Sequence, residues 1–304
     1  MTTDQISQKN NSPLTVLVTG GAGFVGSHLC ERLTADGHRV ISLDNYFTGS
    51  ESNHVPGVEY RRGHTKDIAE LVPEAVDRIF HLGEYARVAP SLTEPDVVFD
   101  LNICGTFGVL EYWRARGGKL IYAGSSTKFT PENDAGVTGA DRAPYNFFKA
   151  QNSELVHNYG RWYDLQYSIA YFYNVYGPRE RAGQFDGTYG TVVETFRQCK
   201  LRGEPGIING DGTQTRAFTH VLDTVEALAR IADAGERDEY AISSDDVYSL
   251  NELADLFGIE KQHAPATKSS RSFGADDTSK LQALGWQQQH WLTEYANTMQ
   301  TGTN

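Results

Sequence analysis

The sequence predicts an α/β fold: a doubly wound parallel sheet with helices on both faces, followed by a smaller C-terminal domain. Three observations predict it. Short β-branched apolar runs alternate with segments of helical period between residues 14 and 177, the pattern of parallel βαβ units. A glycine-rich turn joins the first strand to the first helix. After Gly177 the rhythm breaks into glycine-rich loops.

The elements run in order along the chain. "LTVLVTG" (14–20) is a buried strand. Phe24 to Asp36 has helical spacing, with Val25, Leu29 and Leu33 on one face and Gly37 ending it. "HRVISLDN" (38–45), "VEYRRG" (58–63) and "RIFHLG" (78–83) are the second to fourth strands. Pro95 to Arg116 reads as one long helix, "KLIYAGSS" (119–126) as the fifth strand, and Pro144 to Tyr163 as a second long helix. "QYSIAYFYNVYG" (166–177) is the sixth strand. "TRAFTHVLDTVEALARIADAG" (215–235) returns to strand-then-helix, and the remaining tail is mixed and polar. The domains expected are a polar tail at 1–12, a nucleotide-binding domain at 13–177 rejoined by part of 215–235, and a substrate domain over most of 178–304.

Composition is that of an ordinary globular protein, and 304 residues suffice for a large core. A formal net charge of −12 argues against nucleic acid or an anionic membrane as partner. Cys30, Cys104 and Cys199 show neither metal spacing nor a disulfide framework, which points to a reducing cytoplasm and no metal. Residues 1–12 lack the apolar centre of a signal peptide, and no apolar run has the length of a membrane span.

"VTGGAGFVGSHL" (18–29) places Gly20, Gly23 and Gly26 three apart at the strand–helix junction. Such a junction needs a tight turn, a bare backbone for a pyrophosphate and close helix–strand packing, with the amides of Phe24, Val25 and their neighbours facing the diphosphate. Asp44, about twenty residues on, is placed to bind a ribose 2′-hydroxyl. A 2′-phosphate would meet its like charge, so NAD is expected over NADP. Tyr145 and Lys149 stand four apart in "PYNFFKA", on one face of a helix. An ammonium beside a phenol favours the phenolate, so the pair suits a general base. Ser125 and Ser126 end the fifth strand, at the carboxyl edge where doubly wound sheets bind ligands.

In this combination the motifs resemble the extended short-chain dehydrogenase/reductase family, the NAD-dependent nucleotide-sugar epimerases and dehydratases, over roughly residues 14–285. The resemblance implies a Rossmann-type domain, NAD as cofactor, a nucleotide sugar as substrate, and Ser125, Tyr145 and Lys149 as the catalytic triad. It adds Asn45, Asp67, Leu82, Gly83 and Asn102 to the cofactor site. It gives Glu84, Ser126, Asn174, Arg216 and Arg271 to the substrate, with Arg216 on the diphosphate. It also implies a homodimer built on the two long helices, which carry Phe107, Leu110, Trp113, Phe147, Leu155 and Trp162.

Departures from the family narrow the chemistry. Ser126 and Thr127 stand where 4,6-dehydratases carry Asp and Glu, which argues against elimination of water. The arginine that grips the carboxylate in uronate epimerases falls at Ala89, with Arg87 two residues earlier, which argues against UDP-glucuronate as substrate. His64 replaces the usual acid after the third strand, with Asp67 three residues on. Glu84 takes the last position of the usual "HxAA", either as a tuned acid or as a salt-bridged residue. The expected reaction is 4-epimerisation of a UDP-hexose. A reductase, a dehydratase or a non-catalytic NAD-binding protein of the same fold are the alternatives.

Overall fold

The computed structural model describes residues 12–130, 137–181, 190–265 and 276–298. Most of the expected N-terminal tail and Arg271 lie outside the described residues. Seven parallel strands form the central sheet: β1 (Thr15–Thr19), β2 (Arg39–Asp44), β3 (Glu59–Arg62), β4 (Arg78–His81), β5 (Lys119–Ser125), β6 (Gln166–Phe172) and β11 (Glu239–Ile242). Their spatial order is β11-β6-β5-β4-β1-β2-β3. The chain winds outward from β1 in both directions, so its carboxyl edge is the switch point where such sheets take ligands.

Strand alternation explains the two cores. Leu17 of β1 faces one side with Ile41, Ile79 and Tyr122. There it meets Val109, Leu110 and Trp113 of α4 (Gly105–Arg116) and Val156 and Tyr159 of α5 (Pro144–Trp162). Val16 and Val18 face the other side, against Leu29 and Leu33 of α1 (Phe24–Ala35) and Leu228 and Ile231 of α7 (Val221–Ala234). Between these lie the short helices α2 (Ile68–Leu71) and α3 (Pro95–Val98).

A third core gathers Tyr176, Phe196, Ile208, Phe218, Leu253, Phe257 and Leu292. It is built from α6 (Val192–Arg202), α8 (Leu250–Phe257), α10 (Leu292–Thr298) and the short strands β7 (Val175–Tyr176), β8 (Gly206–Asn209), β9 (Thr215–Ala217), β10 (Thr219–His220), β12 (Val247–Ser249) and β13 (Lys261–Ala264). α9 (Ser279–Ala283) lies beside β11, with its Leu281 in the second core. No helix among the described residues is long and apolar enough to cross a membrane.

Three features depart from the sequence reading. The seventh strand lies in the segment read as a mixed polar tail, because four residues pairing with β6 at the sheet edge leave little periodic signal. The sixth strand stops at Phe172. Asn174 turns the chain at φ +34°, and β7 pairs instead with β10. The long helix at 95–116 contains a π-helical stretch, Phe99–Cys104, between α3 and α4. Of the residues expected at a dimer surface, Leu110 and Trp113 are buried and Leu155 packs on the first core. Phe107, Phe147 and Trp162 are exposed, joined by Phe99 and Tyr163.

The glycine turn has little slack. Gly20 adopts φ +74°, and a Cβ on Gly26 would lie 2.1 Å from the Gly20 carbonyl oxygen. Gly26→Ala must therefore push α1 off the turn. It is expected to destabilise the fold by about 1–3 kcal/mol, the range for overpacking, seen as a lower urea midpoint. An unchanged midpoint would refute this packing.

Candidate active site

One cleft of about 350 Å³ opens at the carboxyl edge of the sheet. Its floor is the glycine turn, and α1 starts there with Gly23 as N-cap and no side chain capping its first amides. Those amides and the bare backbone around Gly20 and Gly26 fit a diphosphate. Asp44 ends β2 and lines the same cleft with Asn45. Its carboxylate accepts from the amides of Ala22 (2.9 Å) and Tyr46 (2.7 Å). Burial raises its pKa, opposed by those two hydrogen bonds. One side chain thus braces the glycine turn and sets a negative charge beside it. The cradle fits a dinucleotide without a 2′-phosphate.

Of the expected site residues, Gly20, Gly23, Phe24, Val25, Gly26, Asp44, Asn45, Leu82, Gly83, Glu84, Ser125, Ser126, Tyr145, Lys149 and Asn174 all line the cleft. Ser125 also caps the turn after β5, its hydroxyl 2.9 Å from that of Thr127. Asn174 donates its amide to the Ala217 carbonyl (2.8 Å). Asp67, Asn102 and Arg216 are not among the lining residues. Asp67 is exposed on a 3-10 turn after β3. Arg216 is half-buried on β9, opposite Tyr248 of β12. Asn102 is fully buried in the π-helical stretch. Its side chain accepts from the Tyr85 amide (2.7 Å) and donates to the Tyr85 carbonyl (3.2 Å), so it braces the cleft wall from behind. Such wide turns recur at functional sites.

Glu84 lines the cleft, and of the two readings expected for it the geometry matches the salt-bridged residue rather than an available acid. Its carboxylate accepts from Thr106 Oγ1 (2.7 Å), Asn152 Nδ2 (2.8 Å) and the Tyr122 hydroxyl (3.1 Å), and it pairs with Lys149 Nζ. Burial alone would raise its pKa. Lys149 and the hydrogen bonds outweigh that and hold it below the usual value. Glu84 is therefore an ionised counter-ion. Lys149 also donates to the Ala123 carbonyl, and its ammonium lies 4.4 Å from the Tyr122 ring centre. Two of its three N–H bonds are thus committed, leaving one for the cleft.

The network continues inward in one direction. The Leu82 and Gly83 amides donate to Thr19 Oγ1 (3.2 and 3.0 Å), so that hydroxyl gives its proton to His81 Nδ1 (2.7 Å). The ring proton then sits on Nε2 and goes to Thr106 Oγ1 (3.0 Å), which donates to Glu84. Thr106, Tyr122 and Asn152 escaped the sequence reading. The signal for Asn152 was its place three residues after Lys149, on the same helix face.

Burial drives the His81 pKa down to about 4, with Lys149 lowering it further and Glu84 opposing. The folded value lies below the unfolded one near 6.5. Its contribution is therefore present above pH 6.5 and is lost as pH falls towards 4, about 3 kcal/mol at 1.36 kcal/mol per unit. The His81 ring carbons should stay at neutral-imidazole NMR shifts down to pH 5.5 while the urea midpoint declines. Imidazolium shifts for His81 at pH 6 would contradict the assignment.

Comparison with known proteins agrees with this geometry. The NAD dependent epimerase/dehydratase family model matches residues 16–243. The chain is 32% identical over 254 residues to the UDP-N-acetyl-alpha-D-glucosaminuronate decarboxylase of Bacillus cytotoxicus, covering 78% of this chain and 77% of that protein. The UDP-glucose 4-epimerase of Thermotoga maritima, solved with UDP-glucose, superposes with a TM-score of 0.85 at 28% identity, over 94% of this chain and 97% of that one. The Thermus thermophilus UDP-glucose 4-epimerase, solved with NAD, gives 0.82 at 27% identity, over 95% and 100%. With a family match over most of its length and the glycine cradle, Tyr145 and Lys149 gathered at one cleft, this chain belongs to the NAD-dependent epimerase/dehydratase family.

Proposed function

We propose that this protein is a nucleotide-sugar 4-epimerase acting on a UDP-hexose through a transient 4-keto sugar. The observation that carries the reading is that Ser125, Tyr145 and Lys149 line one wall system of a single cleft, beside the cofactor cradle. NAD, the family's cofactor, supplies a hydride acceptor when bound. Tyr145 takes the proton of the C4 hydroxyl, and Ser125 holds the same oxygen by its hydroxyl. Lys149, fixed on Ala123 and Glu84, turns its remaining N–H into the cleft. After the keto sugar has turned, Tyr145 returns the proton to the C4 oxygen. The NAD domain is assigned to 13–177 with the return at 215–235, and most of 178–304 to the nucleotide sugar. A cytoplasmic setting suits the three free cysteines.

The cleft offers little for dehydration. Its lining carboxylates are Asp44 and Glu84, and protein donors hold both. Ser126 and Thr127 bring hydroxyls, which do not ionise near neutral pH. One second reading has support. The Bacillus relative is named a decarboxylase, and Arg87 lines the cleft, a cation for a uronate carboxylate. A 4-keto uronate has its carbonyl β to the carboxylate, so it can lose carbon dioxide to a C4–C5 enolate, which then takes a proton at C5 from water or the Tyr145 hydroxyl.

Incubation with UDP-hexoses and UDP-uronates in deuterated water, without added cofactor, separates these by NMR. The expected outcome is a C4 epimer with every carbon-bound hydrogen retained. A pentose product with carbon dioxide would replace epimerisation by decarboxylation, and deuterium at C5 with a 4-keto-6-deoxy product would indicate a dehydratase. Tyr145→Phe should lower turnover about 10²-fold or more with folding intact. Near-normal turnover removes Tyr145 from the chemistry.

A homodimer is part of the proposal. Phe99, Phe107, Phe147, Trp162 and Tyr163 remain exposed on the two long helices, large apolar side chains of the kind an interface covers. Sedimentation at micromolar concentration should give the dimer mass. Phe107→Glu, which charges that face, should give the monomer. A monomeric wild type ends the idea.

A further inference from the structure

We propose that Glu84 is a positioning residue: a fixed counter-ion that holds Lys149 against β5 and moderates the positive charge felt by Tyr145 across the cleft. The inference rests on the reading of Tyr145 as the base, and it assigns to Glu84 a role separate from substrate contact. Four observations carry it. The Glu84 and Lys149 side chains are 4% and 7% exposed, so their pairing is hardly screened by solvent. The Glu84 carboxylate takes hydrogen bonds from α4, β5 and α5 at once, which fixes its place. Lys149 is held on two sides, by Glu84 and by the Ala123 carbonyl. Tyr145 lies one helical turn before Lys149 on α5 and lines the same cleft as both.

The physical consequence is one of charge. An ammonium near a phenol favours the phenolate, and a carboxylate paired with that ammonium offsets much of its field. The other groups facing this region are His81 on β4, held neutral, and Tyr122 on β5, whose hydroxyl donates to Glu84. Tyr85, against which Tyr145 packs, donates to Glu94 (2.5 Å). Arg87 also lines the cleft. These groups are common to the wild type and to variants at Glu84, and they do not account for a difference between them.

Glu84→Gln removes the charge and keeps the shape. Its oxygen can face Lys149 while its amide donates to the Thr106 and Tyr122 hydroxyls, which can accept, at the loss of the hydrogen bond from Asn152 Nδ2. The phenolate absorbance of Tyr145 near 295 nm, isolated by subtracting a Tyr145→Phe background in the same protein with NAD bound, reports its titration without turnover. In Glu84→Gln the midpoint is expected to fall by about one pH unit relative to wild type. Glu84→Asp keeps the charge but draws it back by one methylene. It is expected to shift the midpoint in the same direction by less, and it serves if the Gln variant does not fold. A midpoint unchanged in a folded variant, with only thermal stability altered, would make Glu84 purely structural and overturn the inference. Loss of turnover in Tyr145→Phe alongside that unchanged midpoint would leave the assignment of the base standing.

Discussion

A buried carboxylate facing a buried ammonium organises this site. Such a pair repays its desolvation only where extra hydrogen bonds satisfy the remaining lone pairs and protons. Glu84 meets that condition with Thr106, Tyr122 and Asn152, and Lys149 with the Ala123 carbonyl. The partners come from the loop after β4, from β5, from α4 and from α5. The ion pair therefore fixes how two helices sit on two adjacent strands, at the edge where the cleft opens. Neutral His81 extends the same constraint to β1 through Thr19. A protonated His81 would offer two donors to a chain of hydroxyls that accepts only one there.

The glycine turn depends on that arrangement from the other side. Gly20 approaches Gly83 closely enough that a Cβ on Gly20 would lie 2.9 Å from the Gly83 Cα. The residues before Glu84 thus pack directly on the cofactor cradle. Asp44 closes the cradle from β2 by accepting from Ala22 and Tyr46. Cofactor turn and ion pair share one stretch of backbone, Leu82–Glu84. A change in either is felt by the other through close-packed main chain, which deforms little.

Much of this was legible in the sequence, for identifiable reasons. Five strands of the sheet carry apolar runs that show, while β3 is polar over Glu59–Arg62 and is marked by its place in the alternation; the glycines announce a backbone approach that side chains cannot make. Tyr145 and Lys149 share a helix face by their spacing alone. The seventh strand was not legible, since Glu239–Ile242 is only four residues long, follows a helix and loop in a segment without strand rhythm, and gains its order from β6. Nor was the π-helical stretch. Its cause is tertiary: Asn102 reaches back to the Tyr85 backbone, and the Asn102 carbonyl accepts from Asn152 of α5 (2.8 Å). Glu84 could be seen as an anomaly but not resolved. The partners that decide its protonation stand 22, 38, 65 and 68 residues away in the chain, beyond any local pattern.

The same constraint separates two parts of the proposed chemistry. With Tyr145 as the base, abstraction of the C4 proton belongs to Tyr145, Ser125 and Lys149, which stand on the rigid edge of β5 and the first turns of α5. The fate of the keto sugar depends on groups reaching it from other segments: Arg87 after β4, Ser126 and Thr127 after β5, and Asn174 after β6. These are loop and turn positions, where residues change without disturbing the sheet. Glu84 differs from them. It stands beside those loops but is locked into the rigid edge by its hydrogen bonds, so on the proposed reading it acts on the first proton transfer rather than on the later branch. A carboxylate so placed tunes how readily the first proton leaves and has no reach to choose the product.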